Sequence, residues 1–132
     1  MFTTRRITTI LIAALAALSL TAPMAVAKGG GGTTRSIALH PSVSFPNATG
    51  KAVYKVKGSE RELQIEVEHI KVLAGKHVNV FVNGSQLASP VVSSLGIARV
   101  ERRTPQAVPT IKSGSTVRVR TLGGTLIASG TF

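Results

Sequence analysis

The chain contains no cysteine, no tryptophan and no aspartate, and only one tyrosine; all five of its acidic residues are glutamates. Each absence excludes something. Without cysteine there is no disulfide to support a thin core, no acylated cysteine to tether the chain, and no thiolate to attack a substrate or hold a metal. Without aspartate and cysteine together, the Ser-His-Asp and Cys-His arrangements are unavailable, so glutamate is the remaining acid for catalysis. Aromatic residues beyond position 27 are limited to Phe45, Tyr54, Phe81 and Phe132. That is too few for the stacking platforms that bind single-stranded nucleic acid, and no specific nucleic-acid partner is expected.

Long apolar stretches are also missing. The longest runs from Ile10 to Leu20, well short of the roughly 20 residues that a spanning helix needs. Its surroundings explain it differently. Arg5-Arg6 lies before it and Ala25-Val26-Ala27 after it, the basic start, apolar centre and small-x-small cleavage site of a signal peptide. Residues 1–27 are therefore expected to be removed on export, leaving a secreted or periplasmic chain without a transmembrane segment. The residues after the arginine pair, Ile7-Thr8-Thr9, do not fit the twin-arginine pattern, which points to ordinary secretion. The formal charge of the whole chain is +11, and losing Arg5 and Arg6 lowers it to +9. Such a charge draws a small domain toward polyanions without specifying its fold.

Residues 28–35 contain four consecutive glycines, whose ordering would cost much backbone entropy, and are expected to form a flexible tail. From residue 36 to 132 the apolar period is two rather than 3.6, and short runs of Val, Ile and Leu are separated by Gly, Pro, Asn and Ser. Residues 50–70 carry this pattern most clearly. If Gly58-Ser59 is a two-residue turn, Lys57 faces Glu60, Lys55 faces Glu62 and Lys51 faces Glu66, while Tyr54 meets Leu63 and Ala52 meets Ile65 on the other face. Charge and apolar pairing agree on this register, and a one-residue slip would destroy both. These acids and lysines need no active site to explain them.

A second hairpin is expected around Asn83-Gly84, the pair favoured by type I′ turns, with Val78, Val80 and Val82 on one face and Pro90 limiting the return strand. A strand over 96–103 turns Ala98 and Val100 inward. The last hairpin places Val117 and Val119 inward and Arg118 and Arg120 outward, with a turn near Gly123-Gly124 followed by Leu126, Ala128 and the terminal Phe132. The segments 74–80 and 113–119 share the pattern small-Gly-x-x-Val-x-Val, which any loop feeding a strand can produce as readily as duplication can.

Seven to eight short antiparallel strands predict an all-β domain over 36–132, an immunoglobulin-like β-sandwich with a small closed β-barrel as the alternative. Gly-x-Ala-x-Tyr at 50–54, Arg61-x-Leu63-x-Ile65-x-Val67-Glu68, Val78-x-Val80-Phe81-Val82-Asn83-Gly84 and Ala128-Ser129-Gly130-x-Phe132 together resemble small exported bacterial proteins with immunoglobulin-like domains. The resemblance covers residues 50–132 and implies export and fold, without catalytic residues to carry over.

The expected function is non-enzymatic. Glu62, Glu66 and Glu68 lie along one exposed face and do not converge as a hydrolytic carboxylate pair would. His40, His69 (on the core parity) and His77 fit no zinc spacing, and neither a metal nor a cofactor is expected. Asn47-Ala48-Thr49 and Asn83-Gly84-Ser85 match the N-glycosylation pattern. Four arginines remain as candidates: Arg99 and Arg103 on one strand, Arg118 and Arg120 on another. If those strands are neighbours, they form one patch suited to phosphate or carboxylate groups of an anionic envelope polymer, such as lipopolysaccharide, teichoic acid or acidic polysaccharide. The broader expectation is interaction with another protein or the cell surface.

Overall fold

Antiparallel pairing joins every strand in the computed structural model, which describes residues 32–132. The expected leader at 1–27 and residues 28–31 of the expected tail lie outside the described residues. Eight strands follow in chain order: β1 (Gly32–Pro41), β2 (Thr49–Lys57), β3 (Glu60–Glu68), β4 (Val78–Val82), β5 (Ser85–Ala88), β6 (Ala98–Arg103), β7 (Thr116–Thr121) and β8 (Leu126–Thr131). Among the described residues a single 3-10 turn, Lys71–Leu73, interrupts them. The expected boundary at residue 36 shifts earlier. Gly32 to Arg35 belong to β1 and pair with Lys57 to Tyr54, because the long hairpin behind them supplies a complete ladder edge.

The strands form one sheet in the order β5-β4-β7-β8-β1-β2-β3-β6. β1 joins its two halves: residues 32–39 pair with β2, and His40 and Pro41 pair with Ser129 and Ala128 of β8. The sheet thus turns back on itself, and the inner faces of both halves share one core that includes Leu63, Ile65, Ile70, Val78, Val117, Val119 and Ile127. The sandwich and barrel expectations converge on this all-β form, two layers drawn from one nearly closed sheet. At its open seam, the two edge strands are linked by Arg102 of β6, whose guanidinium donates to the Leu87 carbonyl of β5 at 3.0 Å. Leu87 is the extra residue of a bulge, skipped between the Val80–Ala88 and Phe81–Gln86 pairs.

The β2–β3 register is the expected one at every position, from Lys57 opposite Glu60 to Lys51 opposite Glu66, with Tyr54 against Leu63 and Ala52 against Ile65. The Asn83-Gly84 turn has φ of 51° and 83°, the double positive φ that a type I′ hairpin requires. Two details differ from expectation. Ile127 is an extra residue between the Arg120–Leu126 and Val119–Ala128 pairs, so Ile127 and Ala128 are both buried while Leu126 shares the outer face of Arg120. A bulge that places two consecutive residues opposite one breaks the strict alternation that would put Leu126 and Ala128 on one face. His69 leaves the ladder after Glu68, has φ 65° and is exposed, rather than continuing the core parity of β3.

The repeated pattern falls on loops that feed β4 and β7. Gly75 and Gly114 have φ of 83° and 95°, and the strands they precede are antiparallel neighbours, with Val80 opposite Val119.

Candidate functional site

Charge is distributed unevenly over this sheet, and strand alternation is the reason. On the outer face of β2, β3 and β6, the paired rows read Lys51–Glu66–Arg99, Val53–Gln64–Glu101 and Lys55–Glu62–Arg103, with Lys57–Glu60 beyond them and Glu68 at the end of β3. All five glutamates of the chain lie on this face. Lys51, Lys55, Lys57, Arg99 and Arg103 match them one for one, so the face is close to neutral. Among the described residues the cations outnumber the acids, and that surplus lies off this face.

Within this grid Glu62, Glu66 and Glu101 are held by arginine rather than by lysine. Arg99 donates to Glu66 at 2.9 Å, and Arg103 donates to Glu62 at 3.1 Å and to Glu101 at 3.4 Å. The planar guanidinium presents several donors toward a carboxylate, whereas an ammonium is a compact, strongly hydrated charge. Gln64 also donates to Glu62, at 2.8 Å. The hydrogen bond from Arg103 is the main reason that the Glu62 carboxyl titrates below its ordinary range, opposed in part by burial. The same bonds raise Arg103 and Arg99 above the usual guanidinium value.

The four expected anion-binding arginines therefore do not form one patch. Arg99 and Arg103 are on β6, at one edge of the sheet; Arg118 and Arg120 are on β7, separated by β8, β1, β2 and β3 through the sheet and by β5 and β4 across the seam. The adjacency failed because nothing in two similarly alternating strands marks them as partners or as distant. Arg99 and Arg103 are also already engaged by glutamates.

Arg118 and Arg120 stand in different surroundings. Arg118 faces Phe81 of β4 on one side and Ser129 of β8 on the other, and Ser129 in turn faces His40 of β1. His40, Thr116, Arg118, Ser129 and Thr131 line a shallow open depression on this outer face. Arg120 lies between Asn79 and Leu126, and its guanidinium donates to the Gly124 carbonyl at 3.1 Å. No acidic residue shares the face, since every glutamate lies on the opposite one. His40 enters this set through the short β1–β8 ladder, a contact that no local pattern announces.

The histidines are dispersed. His69 Nδ1 is 3.0 Å from the Thr49 hydroxyl, His77 donates from Nδ1 to the Ser89 carbonyl at 2.7 Å, and His40 is on the outer face of β1. Among the described residues, no three His, Cys, Asp or Glu side chains gather as a metal site. No helix among them is long and apolar enough to cross a membrane. Known protein families, curated proteins and solved structures were all compared with the chain, and none matches it.

Proposed function

We propose that this chain is an exported, non-enzymatic module that works by contact with a surface polymer or another protein. The leader pattern at 1–27 and the resemblance to small exported bacterial proteins support export to the periplasm or the exterior. The state of the acids supports a non-catalytic role, since Glu62 and Glu66 are engaged by arginine and Glu101 shares Arg103.

One observation favours a narrower reading, that the outer face of β7 binds anionic polymer: Arg118 and Arg120 share an acid-free face with His40 and several hydroxyls. Guanidinium groups free of carboxylates can donate two parallel hydrogen bonds to phosphate or carboxylate groups of lipopolysaccharide, teichoic acid or acidic polysaccharide. Chromatography on immobilised heparin or polyphosphate tests it. Retention should be salt-sensitive, and R118S/R120S should elute at clearly lower salt than the parent, whereas R99S/R103S should shift elution less. Equal retention of R118S/R120S and the parent would refute the reading. Intact mass of the chain recovered from the periplasm or medium tests removal of residues 1–27.

A further inference from the structure

The end of the sheet where β1, β3, β5 and β7 finish carries four connections: residues 42–48, 69–77, 89–97 and 122–125. Each contains a turn closed by a backbone hydrogen bond, and each places an aliphatic side chain at a corner. Val43 stands in the turn closed by Phe45 N–H on the Ser42 carbonyl, at 3.2 Å, and Val72 in the one closed by Leu73 on Ile70, at 2.9 Å. Leu95 stands in the turn closed by Gly96 on Ser93, and Leu122 in the one closed by Gly124 on Thr121, both at 2.9 Å. Their exposures are 96%, 75%, 73% and 63%. Together with Val91, on the same connection as Leu95, they are all the exposed large hydrophobic residues among those described.

Turn corners ordinarily select Gly, Pro, Asn, Asp or Ser. The opposite end follows that rule with Gly58-Ser59, Asn83-Gly84, Thr104-Pro105 and Ser113-Gly114. An aliphatic corner on every connection at one end, and on none at the other, is a property of the end rather than of any single turn.

These corners are held outward by order in the loops beneath them. The Ile70 N–H donates to the Gly96 carbonyl at 3.1 Å, and Gly75 and Val92 exchange bonds with Val92 and Lys76 at 2.8 and 2.9 Å, which ties the Val72 and Leu95 connections together. Gly96 packs so closely that a Cβ there would lie 2.6 Å from the Lys71 nitrogen. The Ser93 hydroxyl accepts from the Leu95 and Ile97 amides, both at 3.2 Å, and the Ser42 hydroxyl donates to the Leu126 carbonyl at 2.6 Å. The side chains cannot easily fold back into the core.

The four connections contain no acid, while Lys71 adjoins Val72 and exposed Lys76 lies later in the same connection. A peptide groove would present one continuous apolar strip, but here single aliphatic tips are separated by polar and glycine residues. We infer that this end of the sheet docks on an anionic lipid surface, inserting Val43, Val72, Leu95 and Leu122 among the headgroups while Lys71 and Lys76 lie at phosphate level. This goes beyond the polymer-binding reading and uses none of its residues.

Because the chain lacks cysteine, single-site labelling is unambiguous. A polypeptide of residues 28–132, which contains every strand and core residue described, is labelled with a solvent-sensitive fluorophore at L95C or, on the opposite end, S59C. Vesicles containing phosphatidylglycerol should shift the L95C probe to an apolar signal and leave the S59C probe unchanged; pure phosphatidylcholine vesicles should bind weakly. V72S/L122S should lose about tenfold in vesicle affinity, and K71Q/K76Q about fivefold for each charge removed, with retention on heparin largely kept by V72S/L122S. Absence of vesicle binding, a water-like L95C probe on bound vesicles, or V72S/L122S binding as tightly as the parent would each overturn the inference. So would vesicle binding abolished by R118S/R120S alone, which would assign adhesion to the β7 face. Loss of heparin retention by the parent would instead refute the polymer reading and leave the vesicle result standing.

Discussion

Replacing Gly130 by alanine tests the point where the two halves of the sheet meet. Gly130 is on β8 opposite buried Val117, so its missing side chain would face the interior. An added Cβ would lie 2.7 Å from the Ala38 carbonyl oxygen, 3.0 Å from Leu39 Cδ2 and 3.1 Å from Ile37 Cδ1. Two effects favour the variant: alanine narrows the unfolded ensemble, by about 0.4–1 kcal/mol, and a buried methyl gains about 0.8 kcal/mol. The Ala38 contact opposes both. It is a backbone atom of β1, paired to Lys51 of β2 at that position, so relief requires moving the strand that joins the halves. Overpacking of this kind costs about 1–3 kcal/mol net, and because the obstacle is backbone we expect a loss near 2 kcal/mol. For a domain of this size each kcal/mol lowers Tm by about 4–8 °C, so a fall of about 8–16 °C should appear in thermal unfolding followed by far-ultraviolet circular dichroism. Gly123→Ala is the control: its nearest neighbour is the Thr121 hydroxyl at 3.9 Å, and its stability should change by less than about 0.5 kcal/mol. A G130A protein as stable as G123A, with an unchanged urea m-value, would refute the close approach of β1 and β8.

Arg102→Met removes the one side-chain bond described between the edge strands β5 and β6 while keeping much of the apolar stem. The cost should be about 1–2 kcal/mol by urea unfolding, and hydrogen exchange should quicken in β5 before it does in β2. Slower or unchanged exchange in β5 would show that the seam does not depend on Arg102. Glu62→Gln should flatten the acid limb of stability. A carboxyl whose folded value is depressed contributes stability above its unfolded value, near 4.3 for glutamate, and loses it as pH falls through the lower folded value. The parent and E62Q should therefore differ at neutral pH and converge in acid, and added salt should shrink the difference; a gap constant from neutral pH to acid would be inconsistent with an ionised Glu62 bound to Arg103.

Local chemistry makes the hairpins legible in the sequence. In β2–β3 the turn, the Lys–Glu opposition and the Tyr54–Leu63 contact all depend on residues close in sequence, and each points to the same register. The type I′ turn at Asn83-Gly84 is legible for the same reason, since few residue pairs tolerate two successive positive φ values. Sheet order was not legible. The inner faces of β4, β6 and β7 present similar Val and Ala residues, so nothing local states that β6 lies beside β3 while β7 lies between β4 and β8. That gap separated Arg99 and Arg103 from Arg118 and Arg120, and hid His40 from its row. Parity was an incomplete guide wherever a strand departs from strict alternation, as at Ile127 in its bulge and His69 beyond the end of β3. Facing positions do not by themselves fix ion pairing, because backbone register decides who is opposite whom while side-chain geometry decides who bonds.

The confinement of every glutamate to the outer face of β3 and β6 makes the molecule an electric dipole as well as a cation. One broad side carries matched charges, and the uncompensated cations among the described residues, Arg118 and Arg120 with them, lie off that side. Near an anionic boundary such a body experiences a torque as well as an attraction, and it turns before contact, over separations of about 10 Å at an ionic strength of 0.1 M. Orientation is then selected during approach, and the matched side stays out of the contact, where a second molecule meets little net repulsion from the first.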